Sequence, residues 1–300
     1  MDLTPYEDAV TIENDGLRLT VAARLGGAVL RFDRRTGREW APIMRPTPTR
    51  VGGVFDCAMN LLLPWSNRIS GGGFFVGDRF FALAPNLQGE PFPIHGNAFQ
   101  SVWRLARHTR TELELTLASD GPGPYRYAAT CAYSLKPAAL EVDLSLTNTA
   151  EATLPFGLGL HPWFPRTEQT ILQAPAEKVW LEDSRHLPTI AVAPGSAPGL
   201  DFASASSLPD GWINNGYSGW TRRAEILWPE RQLALTVLAS EPFDCFQLYS
   251  PGRSADFFCF EPVSHVANAF NQVAFGQPGS AKLLAPGTSL RGVVAFAVAQ

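Results

Sequence analysis

Residues 112–117 read Glu-Leu-Glu-Leu-Thr-Leu, and residues 140–146 read Leu-Glu-Val-Asp-Leu-Ser-Leu. Every second residue is apolar in both, the period of a β-strand with one face in a core and the other in water. Turn signals surround such runs: Arg34-Arg35-Thr36-Gly37, Asp120-Gly121-Pro122-Gly123-Pro124 and Pro251-Gly252-Arg253-Ser254. Further runs rich in β-branched, aromatic and leucine residues read as strands, among them LRLTVAAR (17–24), GAVLRF (27–32), AATCAYSL (128–135), KVWLE (178–182), AEILWP (224–229), QLALTVLA (232–239), CFQLYS (245–250), DFFCFEP (256–262) and GVVAFAVA (292–299). No long helical period and no repeat of solenoid length is present. Many strands joined by short turns must pair their apolar faces, so the expectation is an all-β sandwich or barrel. The segment 196–212 mixes Pro, Gly, Ser and Asp and reads as a long ordered excursion.

The 300 residues are 45% hydrophobic with no charged linker between halves, which predicts one domain spanning 1–300. The 26 glycines and 25 prolines provide many tight turns without reaching low-complexity composition. A formal net charge of -4 and the lack of a Lys/Arg run argue against nucleic acid as a partner. No apolar stretch is long enough to span a bilayer, and the acidic opening MDLTPYEDAVTIENDG has no secretory apolar region, so no membrane partner and a cytoplasmic location are expected. Cys57, Cys131, Cys245 and Cys259 are widely spaced, without a CxxC pair, and read as buried free thiols. P-loop, GxGxxG, GxSxG and HExxH motifs are absent.

Three dispersed segments carry chemistry-bearing residues among aromatics: NLLLPWSNRISGGGFFVGDRFFALAPNLQGEPFPIHGNAFQSVW (60–103), GLGLHPWFP (157–165) and FFCFEPVSHVANAFN (257–271). Together, and in this order, they resemble the aldose 1-epimerase (galactose mutarotase) family, and the resemblance runs from LRLTVAARLGGAVLRFDRRTGREW (17–40) to LAPGTSLRGVVAFAVAQ (284–300). It implies a large twisted antiparallel β-sandwich with a sugar cleft on its concave sheet. It also implies interconversion of α and β anomers of a monosaccharide or sugar derivative. A sugar is the expected partner, and a monomer or homodimer the expected assembly. Opening a hemiacetal removes a proton from the anomeric hydroxyl and delivers one to the ring oxygen, so a positioned base and acid suffice and neither metal nor cofactor is expected.

Glu261 follows the aromatic run DFFCF, which would desolvate its carboxylate and raise its proton affinity; the resemblance makes it the base. His161, held by Pro162 and walled by Trp163 and Phe164, is the expected acid, and His95 in PIHGNAF is expected near the ring oxygen, with Gly96 allowing close approach of the backbone to the ligand. Asn97 stands where the family commonly has a second glycine. Asn67, Arg68 and Gln247 match sugar-binding positions, although Arg68 could instead pair with Asp78. Trp65 and Trp163 are equally readable as stacking platforms or core.

The segment WINNGYSGWTRRAEILWP (212–229) departs from the pattern, because Asn214 occupies the position of a sugar-binding aspartate. An amide there, with Arg68, Arg222 and Arg223 as anion partners, makes a negatively charged sugar a candidate substrate; the last two arginines also fit an exposed strand edge. Two alternatives stand beside mutarotation: a non-catalytic carbohydrate-binding or sensing protein, and a His/His/Glu metal enzyme. A glycosidase would need a second carboxylate, for which only Asp244 or Asp256 offers.

Overall fold

In the computed structural model, which describes residues 6–299, the strand Glu112–Ser119 alternates half-buried and buried side chains, and Ala139–Asn148 does so along its whole length. Both lie in a nine-stranded sheet ordered Ser206–Ser207, Ile171–Gln173, Arg223–Trp228, Leu233–Ala239, Ser289–Ala299, Ala139–Asn148, Tyr127–Lys136, Glu112–Ser119, Arg104–His108. Facing it is an eleven-stranded sheet, whose central strands run Ala28–Thr36, Met59–Leu62, Gly159–Pro165, Phe257–Val263, Cys245–Ser250, Ile213–Ser218, Lys178–Glu182. Neighbouring strands within these sheets pair antiparallel. The expected antiparallel β-sandwich is present, and the α-helical content of the described residues is the single turn Ala269–Gln272.

One continuous core fills the space between the sheets. Phe164 of the larger sheet packs on Phe296 of the smaller, and Trp220 wedges against Phe246 and Phe260. Tyr133 reaches across to donate to the Gly27 carbonyl at 2.8 Å, so its buried hydroxyl is satisfied. Trp65 belongs to this core: it is fully buried against Tyr125 and Phe270 and offers no platform to a sugar. All four cysteines are buried and free.

Alternation fails in the middle of the larger sheet. Phe257–Val263 is buried at six of its seven positions, because one face meets the core while the other lies under a polar-lined cleft and its loops. The excursion 196–212 is pinned by buried Phe202 and by the Tyr217 hydroxyl, which donates to the Leu200 carbonyl at 3.0 Å; its end delivers Trp212 to the cleft.

His265 ties two of these loops together. Its Nε2 accepts from the Ser66 amide at 3.2 Å, and its Nδ1 donates to the Val266 carbonyl at 2.8 Å. Burial lowers its pKa from 6.5 to about 4. A folded-state value below the unfolded one means that the stabilisation is complete above pH 6.5 and is lost as the pH falls toward 4, with a limiting slope of about 1.4 kcal/mol per pH unit for this group. Urea unfolding at pH 7 and pH 5 is therefore expected to show a shallower loss of stability in His265→Gln, which keeps an acceptor but cannot titrate, than in the wild type. Equal losses would contradict this reading.

Candidate active site

The cleft is assembled on one face of the larger sheet by period-two geometry across four adjacent strands. Gln247 stands opposite Glu261 and Tyr249 opposite Cys259. Cys259 is in turn opposite Trp163, and Asn214 is opposite Tyr249. Side chains two apart on a strand share a face, so His161 joins Trp163 and Glu261 joins Cys259. Of these, His161, Trp163, Glu261, Tyr249 and Asn214 line a cavity of about 230 Å³ that also receives Asn67, Arg68 and His95 from the loops after Met59–Leu62. A cavity this small suits one sugar ring rather than a chain of them.

Glu261 is 3% exposed, and its Oε1 lies 3.4 Å from His161 Nε2. Burial pushes this carboxyl well above the usual carboxylate range, opposed only in part by Arg68. Burial lowers His161 to about 3, with the Arg45 charge acting in the same direction. The two shifts have opposite signs for the same reason: taking either charge out of water is costly, so one proton held on the carboxyl leaves the empty pair uncharged. His161 is stacked on Trp163, with ring centroids 4.9 Å apart, and Phe55 packs against both histidines and Trp163. Arg45 stacks on the Trp163 ring at 4.2 Å and donates to the Phe55 carbonyl, bracing this aromatic wall.

His95 lies with its ring centroid 5.4 Å from that of His161. The Asn67 amide donates to its Nδ1 at 3.0 Å, and burial keeps the ring neutral by moving its pKa well below the usual histidine value. With Nδ1 accepting, the proton of the neutral ring is on Nε2, which makes His95 a donor. Its backbone is in the left-handed region, φ 59°, followed by Gly96 at φ 66°. Gly96 serves the protein rather than a ligand: a Cβ there would meet the Leu63 carbonyl oxygen at 1.9 Å. Asn97 points away from the cleft, donating to Ser119 Oγ and accepting from the Tyr127 hydroxyl.

Arg68 does not pair with Asp78, which sits in the turn between Gly73–Val76 and Arg79–Ala82. Instead it donates through Nε and Nη2 to Glu90 Oε2 at 3.1 and 2.7 Å, a half-buried pair beside the cavity. Asn214 faces the cavity, but its amide is engaged on both sides: Nδ2 donates to Glu182 Oε2 at 2.7 Å, and Oδ1 accepts from Gln247 Nε2 at 2.8 Å. Gln247 thus stands behind Asn214 and does not line the cavity. Arg222 and Arg223 leave the site altogether; they pair with Glu241 and Glu225 beside and on the smaller sheet. They sit beyond the turn that follows Ile213–Ser218, so adjacency in sequence does not bring them to the cleft. Neither Asp244 nor Asp256 lines it.

Among the described residues, one group of His, Cys, Asp and Glu side chains is close enough to share a metal ion, and it is His161, Cys259 and Glu261. His95 is not part of that group, so it differs from the His/His/Glu set of the alternative metal-enzyme reading.

Beyond the aliphatic Leu87 and Ile94, five aromatic or polar contributors are absent from the expected set. Tyr249 is two residues from Gln247, and Trp212 is two from Asn214, so strand period could have found them. Phe55, Glu90 and His186 come from turns and loops that carry no periodic signal.

The aldose 1-epimerase family model matches residues 8–297. The chain belongs to the aldose 1-epimerase family. It is 33% identical over 285 residues to the uncharacterised YphB protein of Escherichia coli K12, covering 93% of this chain and 94% of that one. A crystal structure of a candidate aldose 1-epimerase from E. coli K12 superposes with a TM-score of 0.89 at 32% identity, covering 97% of this chain and 98% of the other. A galactose mutarotase-like protein from Clostridium acetobutylicum gives a TM-score of 0.84 at 18% identity, with 97% and 95% covered, and shares the fold.

Gly96→Ala is expected to cost at least about 2 kcal/mol through left-handed strain and collision with the Leu63 carbonyl. Denaturant unfolding measures that loss, and unchanged stability would contradict the close approach.

Proposed function

We propose that this chain is an aldose 1-epimerase that interconverts the α and β anomers of a monosaccharide by acid-base ring opening and closure. The observation that carries the proposal is the buried Glu261–His161 pair at 3.4 Å, on the floor of a cavity sized for one sugar ring. Membership of the family supports the same reading.

The chemistry needs one proton on the pair. A sugar hydroxyl donating to Glu261 favours the carboxylate form and shifts the proton to His161. Glu261 then takes the anomeric hydroxyl proton while His161 delivers its own to the ring oxygen, and the C1–O5 bond breaks to give the open aldehyde. After rotation about C1–C2 the same groups run in reverse: the carboxyl returns a proton to the aldehyde oxygen, and His161 removes the proton from the C5 hydroxyl as O5 attacks the other face. No net proton is gained or lost. His95, as a donor through Nε2, stabilises charge on an oxygen of the ring, and Trp163 offers an apolar wall.

Anomer-exchange NMR at limiting protein, on a panel of neutral hexoses and pentoses, tests this. Wild type is expected to accelerate exchange of at least one sugar, and Glu261→Gln and His161→Gln each to lower kcat by roughly a hundred- to ten-thousand-fold with the fold retained. Binding of sugars without acceleration would point instead to a sensor.

A further inference from the structure

Glu182 gathers side-chain donors from three different residues beside the cleft. Its Oε1 accepts from Trp212 Nε1 at 2.7 Å, and its Oε2 accepts from Asn214 Nδ2 at 2.7 Å and from His186 Nδ1 at 3.1 Å. All three donors line the cavity, whereas Glu182, whose side chain is 17% exposed, lies behind them. These contacts join separate parts of the chain: Glu182 ends the strand Lys178–Glu182, His186 sits in the turn that follows, and Trp212 and Asn214 belong to the next segment across the sheet. His186 is held at φ 61°, a conformation disfavoured for a residue with a side chain. Trp212 leaves 49% of its surface exposed at the cleft mouth, packed edge-on to Tyr249. Strain and exposed aromatic surface are thus kept together around one carboxylate.

Building on the mutarotase reading, we propose that Glu182 is the residue that sets substrate class: through Asn214, His186 and Trp212 it shapes the outer end of the cleft for the hydroxyls of an uncharged sugar and turns away sugars carrying a carboxylate, phosphate or sulfonate. The charge inventory of the cleft agrees. Arg68 is already held by Glu90, and Arg185, next to His186, is bidentate on Asp183. Arg45 lies beneath the Trp163 ring. An anionic substituent would therefore meet Glu182 and Glu90 without a free guanidinium. The orientation of Asn214 depends on the same carboxylate: because Glu182 takes Nδ2 and Gln247 fills Oδ1, the amide presents one N–H and one lone pair in fixed directions, a donor-acceptor set that matches a hydroxyl. Glu182 acts through these neighbours and is a positioning residue.

The test compares wild type with Glu182→Gln on glucose and galactose and on their uronic acids, reading affinity by calorimetry and exchange by NMR. Gln keeps the size but places an amide N–H against a donor. Wild type is expected to bind the neutral sugars at least about tenfold tighter than the uronic acids. In Glu182→Gln that ratio should shrink severalfold and KM for the neutral sugars should rise, with kcat within about twofold of wild type. Uronic acids bound as tightly as their parent sugars by the wild type, no binding of either neutral sugar, or an unchanged ratio in the variant would overturn the assignment. A fall in kcat at constant KM would also overturn it, by placing Glu182 in the chemistry. Absence of exchange in the wild type, with the binding preference for neutral sugars present and reduced in Glu182→Gln, would overturn the mutarotase reading and leave the selectivity assignment standing.

Discussion

A carboxylate in the middle of a β-sheet, 3% exposed and 3.4 Å from a buried imidazole, constrains everything around it. An isolated charge at such a place would be prohibitively costly. The protein meets the cost by letting the two groups share one proton, so that the empty pair is uncharged. Burial drives both shifts, raising Glu261 and lowering His161, and the same burial makes the position of the proton responsive to small changes in hydrogen bonding. The aromatic wall of Phe55, Trp163 and Phe257, braced by Arg45, keeps water from that face.

Rigid elements hold this pair. Glu261 and His161 come from neighbouring strands, whose ladder fixes their separation more closely than loops would. His95 comes from a loop, and there the precision has a backbone cost: left-handed residues at Asn67 and His95, a glycine pressed against the Leu63 carbonyl, and the Asn67 amide fixing the imidazole tautomer. The outer end of the cleft is built differently, from polar side chains gathered on Glu182. There Glu182 and Asn214 stand on strands, while His186 and Trp212 come from the connections beside them.

Much of this was legible in the residues. The alternation at 112–117 and 140–146 marks the outer sheet because one of its faces is wet, and the motifs around His95, His161 and Glu261 led to the cleft. Where both faces of a strand are covered, alternation vanishes, so Phe257–Val263 announces a buried strand but not which side chains face the cavity. Pairing was the hardest to foresee. Arg68 finds Glu90 rather than the nearer Asp78, Arg222 and Arg223 turn away beyond a tight turn, and Trp65 enters the core, since each outcome depends on loop paths that no period encodes. Glu182 lay in a strand that could be read, yet nothing local shows that Asn214, Trp212 and His186 converge on it.

The sharing of one proton by Glu261 and His161 is tested most directly by infrared difference spectroscopy of the ligand-free protein at neutral pH, wild type against Glu261→Gln, together with ¹⁵N NMR of His161. The account predicts a protonated-carboxyl C=O band that disappears in the variant, alongside a neutral His161 ring. A carboxylate band with a neutral ring would leave no proton on the pair for the ring oxygen, and would contradict it.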